Sequence, residues 1–155
     1  MTEDQLEQET LGWLTDVGYT VVYGVEIAPD KVNGEAGEGA LGHGNKPERS
    51  DYRQVVLVEL KNPADKAADI WKAYDQIETY KEQIPDVFQY NEVLVISDGT
   101  EAKLGSLSSN GERFMQWRTI DGVTLDPLGQ FNELETLIRG VLAPAYLLDY
   151  GVLSH

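Results

Sequence analysis

The stretch VVLVELKNPADKAADIWKAYDQIETY, residues 55–80, decides the fold. The run Tyr52–Lys61 is rich in β-branched and aliphatic residues and reads as a strand, which Asn62-Pro63 interrupts. A helix then runs to about Ile84, where Pro85 stops it. Ile70, Ala73, Ile77, Tyr80 and Ile84 recur at helical spacing and predict its buried face. Glu92–Ser97 follows as a short, almost wholly apolar run, the mark of a central strand covered on both faces. A helix between two strands of this kind implies a parallel pair and an α/β sandwich, a mixed sheet flanked by helices.

Upstream, Thr2 and Gln5 form a capping-box pattern, and Leu6, Thr10, Trp13, Leu14 and Val17 fall on one helical face. Gly18 stands where a left-handed helix terminus belongs. Tyr19–Ile27 reads as a strand ending before Pro29. Residues 31–47 hold five glycines and little apolar content, so they read as a flexible loop. They lack the Gly-Lys-Ser or Gly-Lys-Thr of a phosphate-binding loop, and no ATP site is expected. Downstream, Asp98-Gly99 marks a turn, and Ala102–Ser106 with Phe114–Arg118 reads as a hairpin around Asn110-Gly111. Phe131–Leu142 reads as a helix with Leu134, Leu137, Ile138 and Leu142 inward, ended by Pro144, and Tyr146–Tyr150 as a further helical turn. The expected order is α-β-β-α-β-β-β-α, in one domain over residues 1–150 with an atypical tail at 151–155.

Composition narrows the chemistry. The chain of 155 residues has no cysteine and two histidines, His43 and His155, which excludes the usual zinc sites and nucleophile–histidine arrangements. Carboxylates, lysines and amides remain, a set suited to hard cations such as Mg²⁺. No apolar run exceeds four residues, so no membrane span is expected; the first residues carry no signal-peptide pattern, and a cytoplasmic protein fits the lack of cysteine. The net charge is −15, and residues 1–40 carry nine acidic residues against one basic residue, Lys31. Phosphate neutralisation supplies most of the affinity for DNA, so this chain alone should hold DNA only weakly.

Glu59 and Lys61 are two apart on a strand, so both side chains leave the same face. A carboxylate beside an ammonium suits metal-assisted phosphodiester hydrolysis. The carboxylate fixes Mg²⁺, and the lysine positions or deprotonates water and offsets phosphoryl charge. An ion pair at the polar end of a strand is the plainer alternative. Gln76 and Tyr80, four apart on the next helix, should face back toward that strand. Tyr80 also fits plain core; Gln76, polar beside an apolar stripe, suggests a contact that orients the site or its ligand.

The run VELKNPAD…AYDQIETYKEQIPDVFQYNEVLVISDGTEAKLGSL…RFMQWRTIDG resembles the nuclease domain of type I restriction enzyme R (motor) subunits. The likeness covers roughly Glu59 to Leu148 together with the first 30 residues. It implies a restriction-endonuclease-like PD-(D/E)XK fold and Mg²⁺-dependent cleavage of DNA. It also implies that Glu59 and Lys61 are the active-site pair, Gln76 and Tyr80 the helix motif, and Glu7 the N-terminal-helix carboxylate.

The chain departs from that pattern before the Glu-x-Lys strand, and Gly151–His155 also leave it. The family's Arg-Pro-Asp strand, whose aspartate binds metal, is missing; instead ERSDYRQVVL runs directly into the Glu-x-Lys strand. Asp51 is a candidate replacement, but it lies eight residues before Glu59, about 26 Å away on a continuous strand at roughly 3.3 Å per residue. Mg²⁺ holds its ligands at about 2.1 Å, so Asp51 can serve only if the chain turns between Ser50 and Val55. Glu26 is a second candidate, if its strand pairs beside Glu59. The alternative is a non-catalytic remnant that binds restriction-modification subunits or mimics DNA with its acidic surface. A lost strand also leaves a sheet edge that favours a homodimer.

Overall fold

Helix α1 (Glu3–Asp16) begins at the expected capping box: the Thr2 hydroxyl accepts from the Gln5 amide, and the Gln5 side chain accepts from the Thr2 amide. The computed structural model describes residues 1–23, 31–32, 35–36, 55–64, 69–126 and 131–147. At its other end Gly18 takes φ +108°, the Gly18 N–H donates to Thr15 O and the Tyr19 N–H to Leu14 O, each at 3.0 Å. This paired closure satisfies the last carbonyls of the helix. It also corrects the expected Tyr19–Ile27 strand: residues 19–23 are not in a strand, and 24–27 lie outside the described residues. The Tyr19 amide is used by the helix terminus, and its hydroxyl donates to Leu142 O at 2.8 Å.

The chain forms two compact units, Met1–Tyr19 with Gln54–His155, and Thr20–Arg53. In the second, β1 (Lys31–Val32) pairs antiparallel with β2 (Glu35–Ala36). The glycine-rich stretch is therefore not loop throughout; its other residues lie outside those described.

The first unit is built on β3 (Val56–Leu60), β4 (Val93–Ser97) and β5 (Ala102–Gly105), in the order β3-β4-β5. β3 and β4 are parallel, and β4 and β5 antiparallel. β4 is central and buried from Leu94 to Ser97, as its apolar run predicts. Of the expected Tyr52–Lys61 strand, Val55 and Lys61 flank β3, and residues 52–54 lie outside those described. The Val55 carbonyl still accepts from Glu92 and Val93, and the Lys61 N–H donates to Ser97 O at 2.9 Å, so pairing extends one residue past each end. The hairpin after β5 reduces to one bridge, Leu104 with Met115, followed in space by the 3-10 turn Gly111–Arg113. The Phe114 ring lies so close over Gly105 that a Cβ there would come within 2.8 Å of it.

Helix α2 (Ile70–Gln83) connects β3 to β4 and starts later than Asn62-Pro63 suggests. Asn62 instead accepts from the Ala64 amide in a local turn, and Asp69 caps the helix by accepting from the Lys72 amide. Ile70, Ala73 and Ile77 are buried, but Ile84 is exposed, which corrects its place on the inner face. Its backbone leaves the helical path at φ −137°, ψ 56° before Pro85, as the residue before a proline tends to. Phe88 of the following 3-10 turn (Pro85–Phe88) joins the core instead. Helix α3 (Glu133–Gly140) is capped by Asn132 and buries Leu134, Leu137 and Ile138. Leu142 is buried just beyond it, and Pro144 opens a helical turn at 144–147 that takes in the start of the expected Tyr146–Tyr150 turn, whose residues 148–150 lie outside those described.

Alternate residues of β4 feed two cores. Val95 joins Leu6 of α1 and Leu134, Leu137 and Ile138 of α3; Leu94 and Ile96 join Ile70, Ala73 and Ile77 of α2. Helices therefore cover both faces of a mixed sheet. Among the described residues the order is α-β-β-β-α-β-β-α, against the expected α-β-β-α-β-β-β-α. Among the described residues, no helix is long and apolar enough to cross a membrane.

Candidate active site

Sheet register determines what gathers at the ends of β3 and β4. Glu59 pairs with Ile96, and Leu57, two residues before it, packs into the α2-side core with Ile96. Side chains two apart on a strand share a face, so Glu59 and Lys61 stand on the side of the sheet that α2 covers. Both lie at the carboxyl end of the parallel pair, the edge where open α/β sheets place their ligands.

The two groups meet directly. Lys61 Nζ donates to Glu59 Oε1 at 2.7 Å, with the side chains 21% and 15% exposed. This is neither a free surface pair nor a sealed one: solvent or a ligand can reach it, while its surroundings weaken screening. The backbone fixes the geometry, since the Lys61 amide is tied to Ser97 O and Pro63 follows two residues later. Gly99, at φ +83°, lets the turn after β4 press on Pro63: a Cβ there would stand 3.0 Å from Pro63 Cβ and 3.2 Å from Leu6 Cδ2.

The remaining expected residues are placed as follows. Tyr80 is half-buried and packs against the α2-side core, and Gln76 is half-buried one turn earlier. Both are on the helix that faces Glu59, but Glu59 takes its hydrogen bond from Lys61. Glu7 is exposed on α1, whose buried side packs against the opposite sheet face. Its neighbour Leu6 nevertheless reaches Gly99 at the same strand ends. Asp51 and Glu26 lie outside the described residues.

As a test of Mg²⁺, Glu59 offers the hard carboxylate oxygen that such a cation takes. Among the described residues, no three His, Asp or Glu side chains gather where they could hold a metal. Glu59 is thus the one residue of the proposed metal set that lies among the described residues.

A second charged residue shares the row of Glu59. Ile96 pairs with Lys103 on its other side, so Glu59, Ile96 and Lys103 line up across the three strands. Lys103 Nζ stands 4.7 Å from the centroid of the Trp71 ring on α2. The sequence reading missed this because Lys103 is remote from Glu59 along the chain, and only the β4–β5 register brings the two onto one row.

Residues 51–113 match the family described as type I restriction enzyme R protein N terminus, a range that includes Glu59, Lys61, Gln76 and Tyr80. Over 97 residues the chain is 44% identical to the type I restriction enzyme HindI endonuclease subunit of Haemophilus influenzae. Over part of its length, the chain is homologous to the N-terminal region of type I restriction R subunits. The HindI alignment covers 62% of this chain and 9% of that protein. A provisionally assigned type I restriction endonuclease subunit, MjaIXP of Methanocaldococcus jannaschii, is 26% identical over 113 residues, 62% of this chain and 11% of that protein. The chain thus corresponds to about a tenth of the length of these R-subunit relatives.

Proposed function

We propose that this chain is a PD-(D/E)XK-type nuclease domain that cleaves DNA phosphodiester bonds with Mg²⁺. The observation that carries the reading is the Glu59–Lys61 pair, joined at 2.7 Å at the carboxyl end of the parallel strands. Glu59 is the residue to hold the cation, with Asp51 the proposed second ligand. When bound, Mg²⁺ would polarise the phosphoryl group and lower the pKa of an attacking water. Lys61 contributes an ammonium that orients that water and offsets charge developing on the phosphoryl oxygens. Gln76, on the facing helix, offers an amide to orient the nucleic acid, and Tyr80 anchors the helix in the core.

Plasmid incubated with the purified chain and Mg²⁺ or Mn²⁺ should be nicked, and Glu59→Ala and Lys61→Ala should each abolish nicking. No nicking at high protein concentration, with no metal binding by calorimetry, overturns the catalytic reading. A second reading, a non-catalytic module that binds restriction-modification subunits or mimics DNA, is favoured by the net charge of −15 and by the lack, among the described residues, of a cluster of three His, Asp or Glu that could hold a metal. Co-purification with such subunits, in a variant lacking Glu59 as in the parent, supports it; absence of binding to every subunit counts against it.

A further inference from the structure

The geometry points to Lys103, held over the Trp71 ring, as a second phosphate-contacting residue on the same sheet face as Glu59 and Lys61. The inference rests on the proposal that the chain acts on nucleic acid.

Three observations converge on it. First, register: Glu59 pairs with Ile96 and Ile96 with Lys103, so the two charged residues occupy one row. At about 4.8 Å per strand spacing, their backbones stand roughly 10 Å apart, within reach of a single bound strand. Second, orientation: Ile96 belongs to the α2-side core and Lys103 Nζ reaches Trp71 of α2, so Lys103 leaves the same face as Glu59. Third, support: Trp71 stands edge-on to Tyr74, which stands edge-on to the buried Phe114, and Gly111 closes against the Trp71 ring. Trp71 is thus fixed from below yet 42% exposed above.

The ring therefore holds the ammonium in place without neutralising it, since a cation on an aromatic face keeps its charge. Its ionic partner among the described residues, Glu101 Oε2, is 3.5 Å away with a side chain 52% exposed, a pairing that a phosphate can displace. Lys61, by contrast, is already joined to Glu59. In a strongly acidic chain, a cation held ready beside the site decides where the backbone of a nucleic acid can settle. Lys103 would take a phosphate flanking the one that faces Glu59 and Lys61, and so set the register of the strand. It is a positioning residue rather than a reacting one.

The test is fluorescence anisotropy with labelled single-stranded and duplex oligonucleotides, without divalent metal, across about 20 to 100 mM salt. Lys103→Gln should weaken binding about five- to tenfold and lower the slope of log affinity against log salt by about 1. Lys103→Arg should restore both, and Trp71→Ala should weaken binding without changing the slope. Unchanged affinity and slope in Lys103→Gln overturn the inference, as does absence of binding by the parent at the lowest salt. Lys103-dependent binding with no cleavage would overturn the nuclease reading and leave this one standing.

Discussion

Replacing Gly99 with alanine tests the packing that holds the site together. Gly99 sits at φ +83° in the turn after β4, with Pro63 and Leu6 against its Cα. Two costs separate. A left-handed backbone costs a residue with a Cβ about 1–2 kcal/mol. The new Cβ also meets Pro63 Cβ at 3.0 Å, Pro63 Cγ at 3.1 Å and Leu6 Cδ2 at 3.2 Å. The proline ring cannot rotate away, and Leu6 is fully buried, so neither neighbour can give freely. Overpacking of this kind adds about 1–3 kcal/mol, for about 2–5 kcal/mol in all. Gly122 supplies the control: it has φ +77° with nothing within 4 Å of a Cβ, so Gly122→Ala carries the backbone cost alone. Urea unfolding followed by circular dichroism reads both, and with an m-value of about 2 kcal/mol/M the Gly99 variant should unfold about 1–2.5 M earlier than the parent. Gly99→Ala matching Gly122→Ala within about 0.5 kcal/mol, the scatter of ordinary surface substitutions, would refute the close approach of α1, Pro63 and the β4 turn.

Thr2→Ala removes the capping-box hydroxyl of α1 and should cost about 1 kcal/mol in the same urea titration; an unchanged midpoint would show that the first turn is frayed in solution. The Asp121 carboxyl is held well below the usual carboxylate range by the backbone amides of Thr124 and Val123, then by the Thr124 and Thr119 side chains. A depressed folded pKa stabilises above the unfolded value of about 3.9 and loses that effect as pH falls through the folded value, so carboxyl NMR should find Asp121 still ionised at pH 3, and an ordinary aspartate midpoint would contradict the turn. Among the described residues nothing pairs with the outer edge of β3, the strand opposite β5 in the order β3-β4-β5, so two copies should associate through it; a monomeric mass by light scattering at high concentration rules this out.

What could be read in the sequence follows from how local each signal is. The capping box at Thr2, the Gly18 terminus and the central strand at Val93–Ser97 depend on a few adjacent residues, and all stand as expected. Ile84 misled because its spacing fits the stripe, while the next residue, Pro85, takes its backbone out of the helix. Tyr19 misled because β-branched and aromatic neighbours imply a strand, yet its amide closes α1 and its hydroxyl binds Leu142, far along the chain. In the glycine-rich stretch, composition hid the pairing of Lys31–Val32 with Glu35–Ala36, strands of two residues each, too short for alternation to register.

The candidate site divides along the same line. Glu59 and Lys61 are legible because a period of two is a property of one strand, and the 2.7 Å ion pair is its direct result. That pair has a plain electrostatic effect: Lys61 compensates Glu59 in the absence of any cation, so retaining both residues does not by itself imply hydrolysis. Lys103 is illegible because its place beside Glu59 needs two registers in succession, β3 on β4 and then β4 on β5, and a slip of one residue in either would turn it to the other face. Since Lys103 is the cation of that row not joined to Glu59, its effect on nucleic-acid binding reports on function where the pair alone cannot.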